Sequence, residues 1–366
     1  RRASPLPDNG YEKNQPRCQG GSQVLHNRLL PHHQLPSPLP PASHRATPGH
    51  MRIHRDTTYL TEADKGATAA IGNFDGVHLG HQAVLKIADE AADAPLGVVT
   101  FEPHPREFFA PDAPPFRLMN AEARAHRLES LDVQHLYELP FNARLAALTP
   151  EEFARDILAE QLGLAHVTVG ADFCFGKGRA GTAAMLQEFG KDYGFGVTIA
   201  ELVGGSENAV SSTRIRQALS NGRPGDAANM LGHLHRIEGE IVRGEQRGRE
   251  LGYPTANLSI DGLHPPKYGV YAVRVRVQSG PHEGEYDGVA SIGVRPMFDG
   301  DHPNCESHLF DFVGDLYGTH LSVALVEYLR PELKLEGLDA LSAQMDADSA
   351  EARGSLCLLY TADAAD

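Results

Sequence analysis

Apolar and polar positions change their rhythm twice along this chain. Up to residue 50 there is no periodicity. Beyond it, short solid apolar runs alternate with stretches where apolar residues recur every three or four positions. Ala67–Ile71 is apolar and ends at Gly72, as a buried strand before a turn should. Val84, Leu85 and Ala88 then recur at helical spacing up to Ala92, and Gly97–Phe101 reads as the next strand. Thr149-Pro150-Glu151-Glu152 combines an N-cap, a first-turn proline and a glutamate three residues on, a capping box. Strand His166–Gly170, a helix after Thr182, strand Val197–Val203 and a helix after Ser212 continue the alternation. Such a rhythm predicts a mostly parallel sheet with helices on both faces, and ligands beyond the carboxyl ends of its strands. From His235 the period drops to two, over Arg236–Val242, Val270–Val277, Gly288–Gly293, Glu306–Phe312 and Leu321–Tyr328. Short strands with Gly and Pro turns predict an antiparallel barrel. Leu338, Leu341 and Met345 give it a closing helical stripe.

Four segments follow from these changes: an extension over 1–50, an α/β domain over 51–232, a barrel domain over 233–350 and a tail over 351–366. The extension holds nine of the 25 prolines and five of the 19 histidines. A stretch like this buries too little apolar surface to offset chain entropy and is expected to be disordered. Met51 opens the first patterned segment and is read as a native start. From Gly354 the helical pattern breaks into a short apolar burst and TADAAD, which resembles translated adapter sequence and is left out of the fold.

Charge and cysteine usage narrow the function classes. The formal net charge of -15 argues against broad electrostatic binding to nucleic acid or anionic membranes. No apolar run approaches the roughly 18 residues of a membrane span. Four scattered cysteines without a CxxC pair indicate neither a disulfide framework nor a zinc site, and the expected setting is cytoplasmic.

Chemistry concentrates where strands end. Gly72-Asn73-Phe74-Asp75-Gly76-Val77-His78-Leu79-Gly80-His81 places glycines where the backbone can approach a ligand. It also puts two histidines three apart at a helix start, whose free N–H groups and dipole favour phosphate. The plain alternative is two surface histidines in a Gly-rich loop. His104 follows a second strand end in TFEPHP. Asp172 and Phe173 follow a third in GADFCFG, with aromatics able to line a flat-ring pocket. Ser211-Ser212-Thr213-Arg214-Ile215-Arg216 opens another helix with three hydroxyls and two guanidinium groups. Either a simple helix cap or a second phosphate clamp would use those residues.

In the barrel segment, Gly248, Arg249 and Gly252 lead into Pro254-Thr255-Ala256-Asn257. This order is not a Walker loop. Glycines admit phosphates, and Thr255 and Asn257 offer the hard oxygen ligands Mg²⁺ accepts. A glycine-rich surface hairpin is the bland reading. Glu306 is placed at a strand start, either as a solvated carboxylate or as a base for a hydroxyl nucleophile.

Taken in order and spacing, GNFDGVHLGH, TFEPHP, GADFCFG and SSTRIR resemble the adenylyltransferase half of bacterial bifunctional riboflavin kinase/FAD synthetases. The run EGEIVRGEQRGRELGYPTANL, with YGVYAV, SIGV and ESHLFDF, resembles their riboflavin kinase module. The resemblance implies a HxGH nucleotidyltransferase domain with a Rossmann-like parallel sheet, then a small antiparallel β-barrel kinase domain with a C-terminal helix. It implies ATP-dependent phosphorylation of riboflavin to FMN, then adenylyl transfer from ATP to FMN, giving FAD and pyrophosphate, with Mg²⁺ as cofactor. His78 and His81 would meet ATP phosphates, helped by Gly72, Asn73, Phe74, Asp75, Gly76, Gly80, Ser212, Thr213, Arg214 and Arg216. His104, Asp172 and Phe173 would face FMN. Gly248, Arg249 and Gly252 would cradle the kinase ATP, Thr255 and Asn257 hold Mg·ATP, and Glu306 activate the riboflavin hydroxyl. The partners implied are these small molecules alone, without nucleic acid or membrane. One rival is a class I aminoacyl-tRNA-synthetase-like activator, which would need a basic RNA-binding domain. Another is an adenylyltransferase whose C-terminal module senses flavin without turning it over.

Overall fold

In the computed structural model, residues 50–201, 210–242, 253–297, 300–334 and 336–363 are described, and all belong to one compact unit. The first half contains β1 (Arg52–His54), β2 (Thr68–Ile71), α1 (Leu79–Ala91), β3 (Leu96–Glu102), α2 (Pro105–Phe109) and α3 (Ala121–Glu129). After these come β4 (His135–Pro140), α4 (Ala143–Ala147) and α5 (Pro150–Glu152), which runs on as a π-helix over Phe153–Gln161. β5 (His166–Gly170), a small ribbon of β6 (Cys174–Phe175) and β7 (Gly181–Thr182), α6 (Ala183–Tyr193), β8 (Gly196–Ala200), α7 (Ser212–Ser220) and α8 (Pro224–Leu231) complete it.

Its sheet has the order β1-β4-β3-β2-β5-β8 with every pairing parallel. A parallel sheet is covered on both faces, so its central strands are largely apolar. All four residues of β2 are buried. Ala69, Ile71, Tyr137 and Val169 pack beneath the π-helix and α6 on one side. On the other side Ala70, Val98 and Leu136 meet Leu85 and Ala88 of α1 and Leu128 of α3. The Thr149 capping box is present as its sequence predicts.

The barrel is built from β9 (Arg236–Glu240), β10 (Ala256–Ser259), β11 (Gly269–Val277), β12 (Gly284–Met297), β13 (Gly300–Leu309) and β14 (His320–Arg330). Strand order is β10-β13-β12-β11-β14-β9, and an isolated bridge between Val242 and Asn257 brings the two edges together. Tyr271, Val273, Ile292, Cys305 and Leu325 fill the interior. α9 (Leu338–Asp363) lies outside, where Ala352 and Leu356 pack on Ala272 and Phe310. The two halves touch through backbone bonds: His264 N–H donates to Arg117 O at 2.8 Å and Lys267 N–H to Leu219 O at 2.9 Å.

Three elements differ from the sequence expectation. α9 continues past Gly354 to Asp363, and Leu356 is fully buried, because with Ala352 it packs on the barrel while Leu358 stays exposed. Glu306 lies inside β13 rather than at a strand start, since pairing with β12 begins at Gly300. PTAN, assigned to no strand from the sequence, contributes Ala256 and Asn257 to the start of β10.

Candidate active sites

A cavity of about 1250 Å³ opens at the carboxyl edge of the parallel sheet, lined by Ile71, Phe101, Gly170 and Ala200 from the ends of β2, β3, β5 and β8. The N-terminal residues of α1, α2 and α7 line it. His78 caps α1, its Nδ1 accepting from His81 N–H at 3.3 Å. That acceptor role puts the proton on Nε2, leaving a donor. The His81 ring stacks on it with centroids 3.7 Å apart and 11° between planes. Gly80 is required by this stack, because a Cβ there would sit 3.1 Å from the His78 ring. Burial lowers His78 to about 4. Burial, then the neighbouring His78, pushes His81 well below its ordinary value. Both imidazoles are therefore neutral at pH 7, and His81 Nδ1 is buried without a hydrogen-bond partner.

Asp75 fixes the loop from within. Its carboxylate accepts from Leu118 N–H at 2.7 Å and from Arg216 Nη2 at 2.6 Å, while Arg216 Nε donates to Phe116 O at 2.5 Å. Desolvation raises the Asp75 pKa despite the adjacent guanidinium. Ser212 Oγ donates to Asp75 O at 3.0 Å, so α7 is tied to the same loop. His104 caps α2 and meets Phe116 edge-on at 4.8 Å. Burial, then Arg117, lowers it to about 4. Phe173 stacks on Phe175 at 5.5 Å and 16°, and Asp172 stands exposed beside them.

Gly72, Asn73, Phe74, Asp75, His78, Gly80, His81, His104, Asp172, Phe173, Ser212 and Arg216 all line this cavity. Gly76, Thr213 and Arg214 do not. Gly76, at φ +90°, is a packing position, where a Cβ would meet Leu118 Cδ1 at 2.8 Å. Ser212 and Arg216 lie four apart on one face of α7, and that phase turns Thr213 and Arg214 outward, where both are exposed. Sequence reasoning missed Phe108, Phe109 and Phe141, which cluster edge-to-face at the rim, and Arg106, whose guanidinium lies 4.4 Å from the Phe116 centroid. It also missed Lys177 and Arg179 in the lining; their signal is the basic GKGR directly after GADFCF.

A second cavity of about 770 Å³ lies on the barrel, lined by Tyr253, Thr255, Asn257, His308, Phe310, Phe312, Tyr317 and Arg353 among others. Asn257 is buried with an unpartnered Oδ1. Glu306 is not in this lining. It pairs directly across from Asn257, on the same sheet face, and its Oε1 accepts from Asn304 Nδ2 at 3.0 Å. Arg353 makes a two-pronged ion pair with Asp311 at 2.9 and 3.0 Å and lies 4.2 Å from the Phe310 centroid. It was missed because it falls in the segment set aside as tail. Gly248, Arg249 and Gly252 lie outside the described residues.

A phosphate-type loop at the carboxyl edge of a parallel sheet, joined to a barrel with its own cavity, defines a two-site nucleotide-using transferase. Residues 60–214 match the FAD synthetase family and residues 231–356 the riboflavin kinase family. The bifunctional riboflavin kinase/FMN adenylyltransferase of Escherichia coli (strain K12) is 39% identical over 307 residues, 83% of this chain and 97% of that protein. Its counterpart in Pseudomonas fluorescens is 41% identical over 309 residues, with the same coverage of 83% and 97%. The chain belongs to the bifunctional riboflavin kinase/FMN adenylyltransferase family. A crystal structure described as a macrolide-efflux protein from Streptococcus pneumoniae aligns at TM-score 0.69 and 31% identity, covering 82% of this chain and 97% of that one. No helix among the described residues is long and apolar enough to cross a membrane, and from that structure only the fold is taken.

Proposed function

We infer that the chain phosphorylates riboflavin to FMN on the barrel and adenylates FMN to FAD at the sheet edge. The observation that carries the reading is the presence of two separate cavities, one lined by His78, His81, Ser212 and Arg216 and the other by Thr255 and Asn257. In the first, the FMN phosphate attacks the α-phosphorus of ATP and pyrophosphate leaves. Charge grows on the phosphoryl oxygens, and donors already aimed at them need no reorganisation. His78 Nε2–H, the His81 ring and the free N–H groups of α1 are such donors, the two imidazoles acting as neutral N–H donors rather than as cations. Arg106, Lys177 and Arg179 supply positive charge around the cavity, and Phe108, Phe109, Phe141 and Phe173 offer apolar faces to the isoalloxazine ring.

At the second, the riboflavin hydroxyl attacks the γ-phosphorus of ATP, ADP leaves, and Glu306, paired across from the cavity-lining Asn257, accepts the hydroxyl proton. Thr255 and Asn257 would hold Mg²⁺: both donors are hard oxygens, and the unpartnered Asn257 Oδ1 fits a ligand role. When bound, the ion neutralises charge on the transferring phosphates. The partners proposed are ATP, riboflavin and FMN, and the setting proposed is cytoplasmic. The test is incubation of riboflavin with ATP and Mg²⁺, followed by chromatography. FMN and then FAD are expected. FAD formation from supplied FMN but no phosphorylation of riboflavin would instead make the barrel a flavin-sensing module.

A further inference from the structure

Away from both cavities, near the amino ends of β2 and β4, three ligand-type side chains converge. His54 Nε2 lies 3.0 Å from His135 Nδ1 and 4.0 Å from Asp64 Oδ1, and the three ligand atoms are all within 4.8 Å of one another. The pocket is secluded: the His54 and Asp64 side chains are 11% and 13% exposed, and His135 is buried. We propose that His54, Asp64 and His135 form a three-ligand site for a divalent first-row transition metal, separate from any Mg²⁺ used in phosphoryl transfer.

Several features support it. Four-coordinate zinc with bonds of about 2.0–2.1 Å holds its ligand atoms about 3.3 Å apart. The His54–His135 spacing is already close to that, and Asp64 Oδ1, 4.0 Å from His54 Nε2, would have to move inward. Two imidazoles and one carboxylate suit zinc better than magnesium. Desolvation keeps both imidazoles below their ordinary pKa, so each offers a lone pair at neutral pH. Asp64 is held by its outer oxygen: Thr61 N–H and Oγ1–H both donate to Oδ2, leaving Oδ1 turned toward the histidines. Tyr137 fixes the backbone of the same turn, its hydroxyl donating to Asp64 O at 2.6 Å. Arg52 occupies Oδ1 at 2.7 Å and is the competitor for the site. At 58% exposure it can swing into solvent, since such surface pairs contribute little. A bound ion would displace the proton of the His–His hydrogen bond and pin β1 and the turn before β2 onto β4. The fourth position would be taken by water.

The test is calorimetric titration of the chelator-stripped full chain with Zn²⁺, repeated with Co²⁺ to read visible absorption. Residues 1–50 contain five histidines, so the informative quantity is the difference between parent and variant. The His54→Ala/His135→Ala double variant should bind one equivalent fewer and lose the Co²⁺ bands of a low-coordinate site. Asp64→Asn should weaken that equivalent about tenfold or more. Arg52→Ala should tighten it, an effect no purely structural hydrogen-bond cluster would produce. Should the double variant fail to fold, Asp64→Asn and Arg52→Ala decide the question. Unchanged stoichiometry in a folded double variant, or equal affinity in parent, Asp64→Asn and Arg52→Ala, would leave an ordinary histidine pair and overturn the proposal.

Discussion

Asp75 spends its carboxylate inside the protein. One oxygen holds Leu118 N–H and the other holds Arg216, so the side chain shapes from within the loop that lines the cavity. Removing one partner of a buried ion pair leaves the other charged and desolvated, at a cost of about 3–5 kcal/mol. Arg216→Ala should therefore lower stability by that order in urea unfolding, beyond any effect on FAD formation. An unchanged unfolding midpoint would mean that Arg216 serves the nucleotide alone. This double use was not legible in the sequence, because Asp75 and Arg216 are 141 residues apart. His78 and His81 were legible because their contact is local: an N-cap and a residue three further on must share one helix face. Beside them Gly76, expected at a phosphate, has a φ of +90° and packs against Leu118 outside the cavity lining.

Elements with local signatures were the readable ones. The Thr149 box, the helix after Thr182 and the strand His166–Gly170 carry caps or unbroken apolar runs, and each forms where expected. β4 went unread because its sequence HLYELP contains a glutamate, and only long-range pairing makes that tolerable. Glu138 is buried and meets Arg124 at 2.8 Å and Arg55 at 3.1 Å. The far part of α9 was set aside because composition, not periodicity, was allowed to decide. Leu356 gives that helix a stability test. Truncating a fully buried leucine typically costs about 2–5 kcal/mol, so Leu356→Ala should cut the barrel's resistance to denaturant by that order. It should also disturb riboflavin binding, because Arg353 one turn earlier lines the second cavity. No loss in either measurement would mean that the last turns of α9 do not pack on the barrel.

Across the whole molecule, buried histidines set the response to acid. His78 and His104 are lowered to about 4 and His235 to about 3, all mainly by desolvation. An unfolded chain would take up these protons near its ordinary value of about 6.5, while the folded chain refuses them. Between those limits the unfolded state binds more protons, so stability is full above pH 6.5 and falls as pH drops toward 4. His126 runs the other way. Its hydrogen bond to Glu238, across the contact between α3 and the barrel, raises its pKa, and that contribution fades as pH rises through the folded value. The depressed histidines, His54, His81 and His135 among them, outweigh the raised His126, so the denaturation midpoint should decrease between pH 7 and pH 5. A midpoint rising over that range would contradict the burial of the phosphate-loop pair.

The central claim is that one chain carries two chemically independent sites. A chromatographic time course with riboflavin, ATP and Mg²⁺ tests it when parent, His81→Ala and Glu306→Gln are run side by side, with folding checked by circular dichroism. The parent should yield FMN and then FAD. His81→Ala should accumulate FMN and make no FAD. Glu306→Gln should phosphorylate riboflavin roughly a hundredfold more slowly, toward the low end for loss of a general base because phosphoryl transfer relies more on positioning. Supplied FMN should still be adenylated by that variant at the parent rate. Loss of riboflavin phosphorylation in folded His81→Ala, or loss of adenylation of supplied FMN in folded Glu306→Gln, would contradict the account.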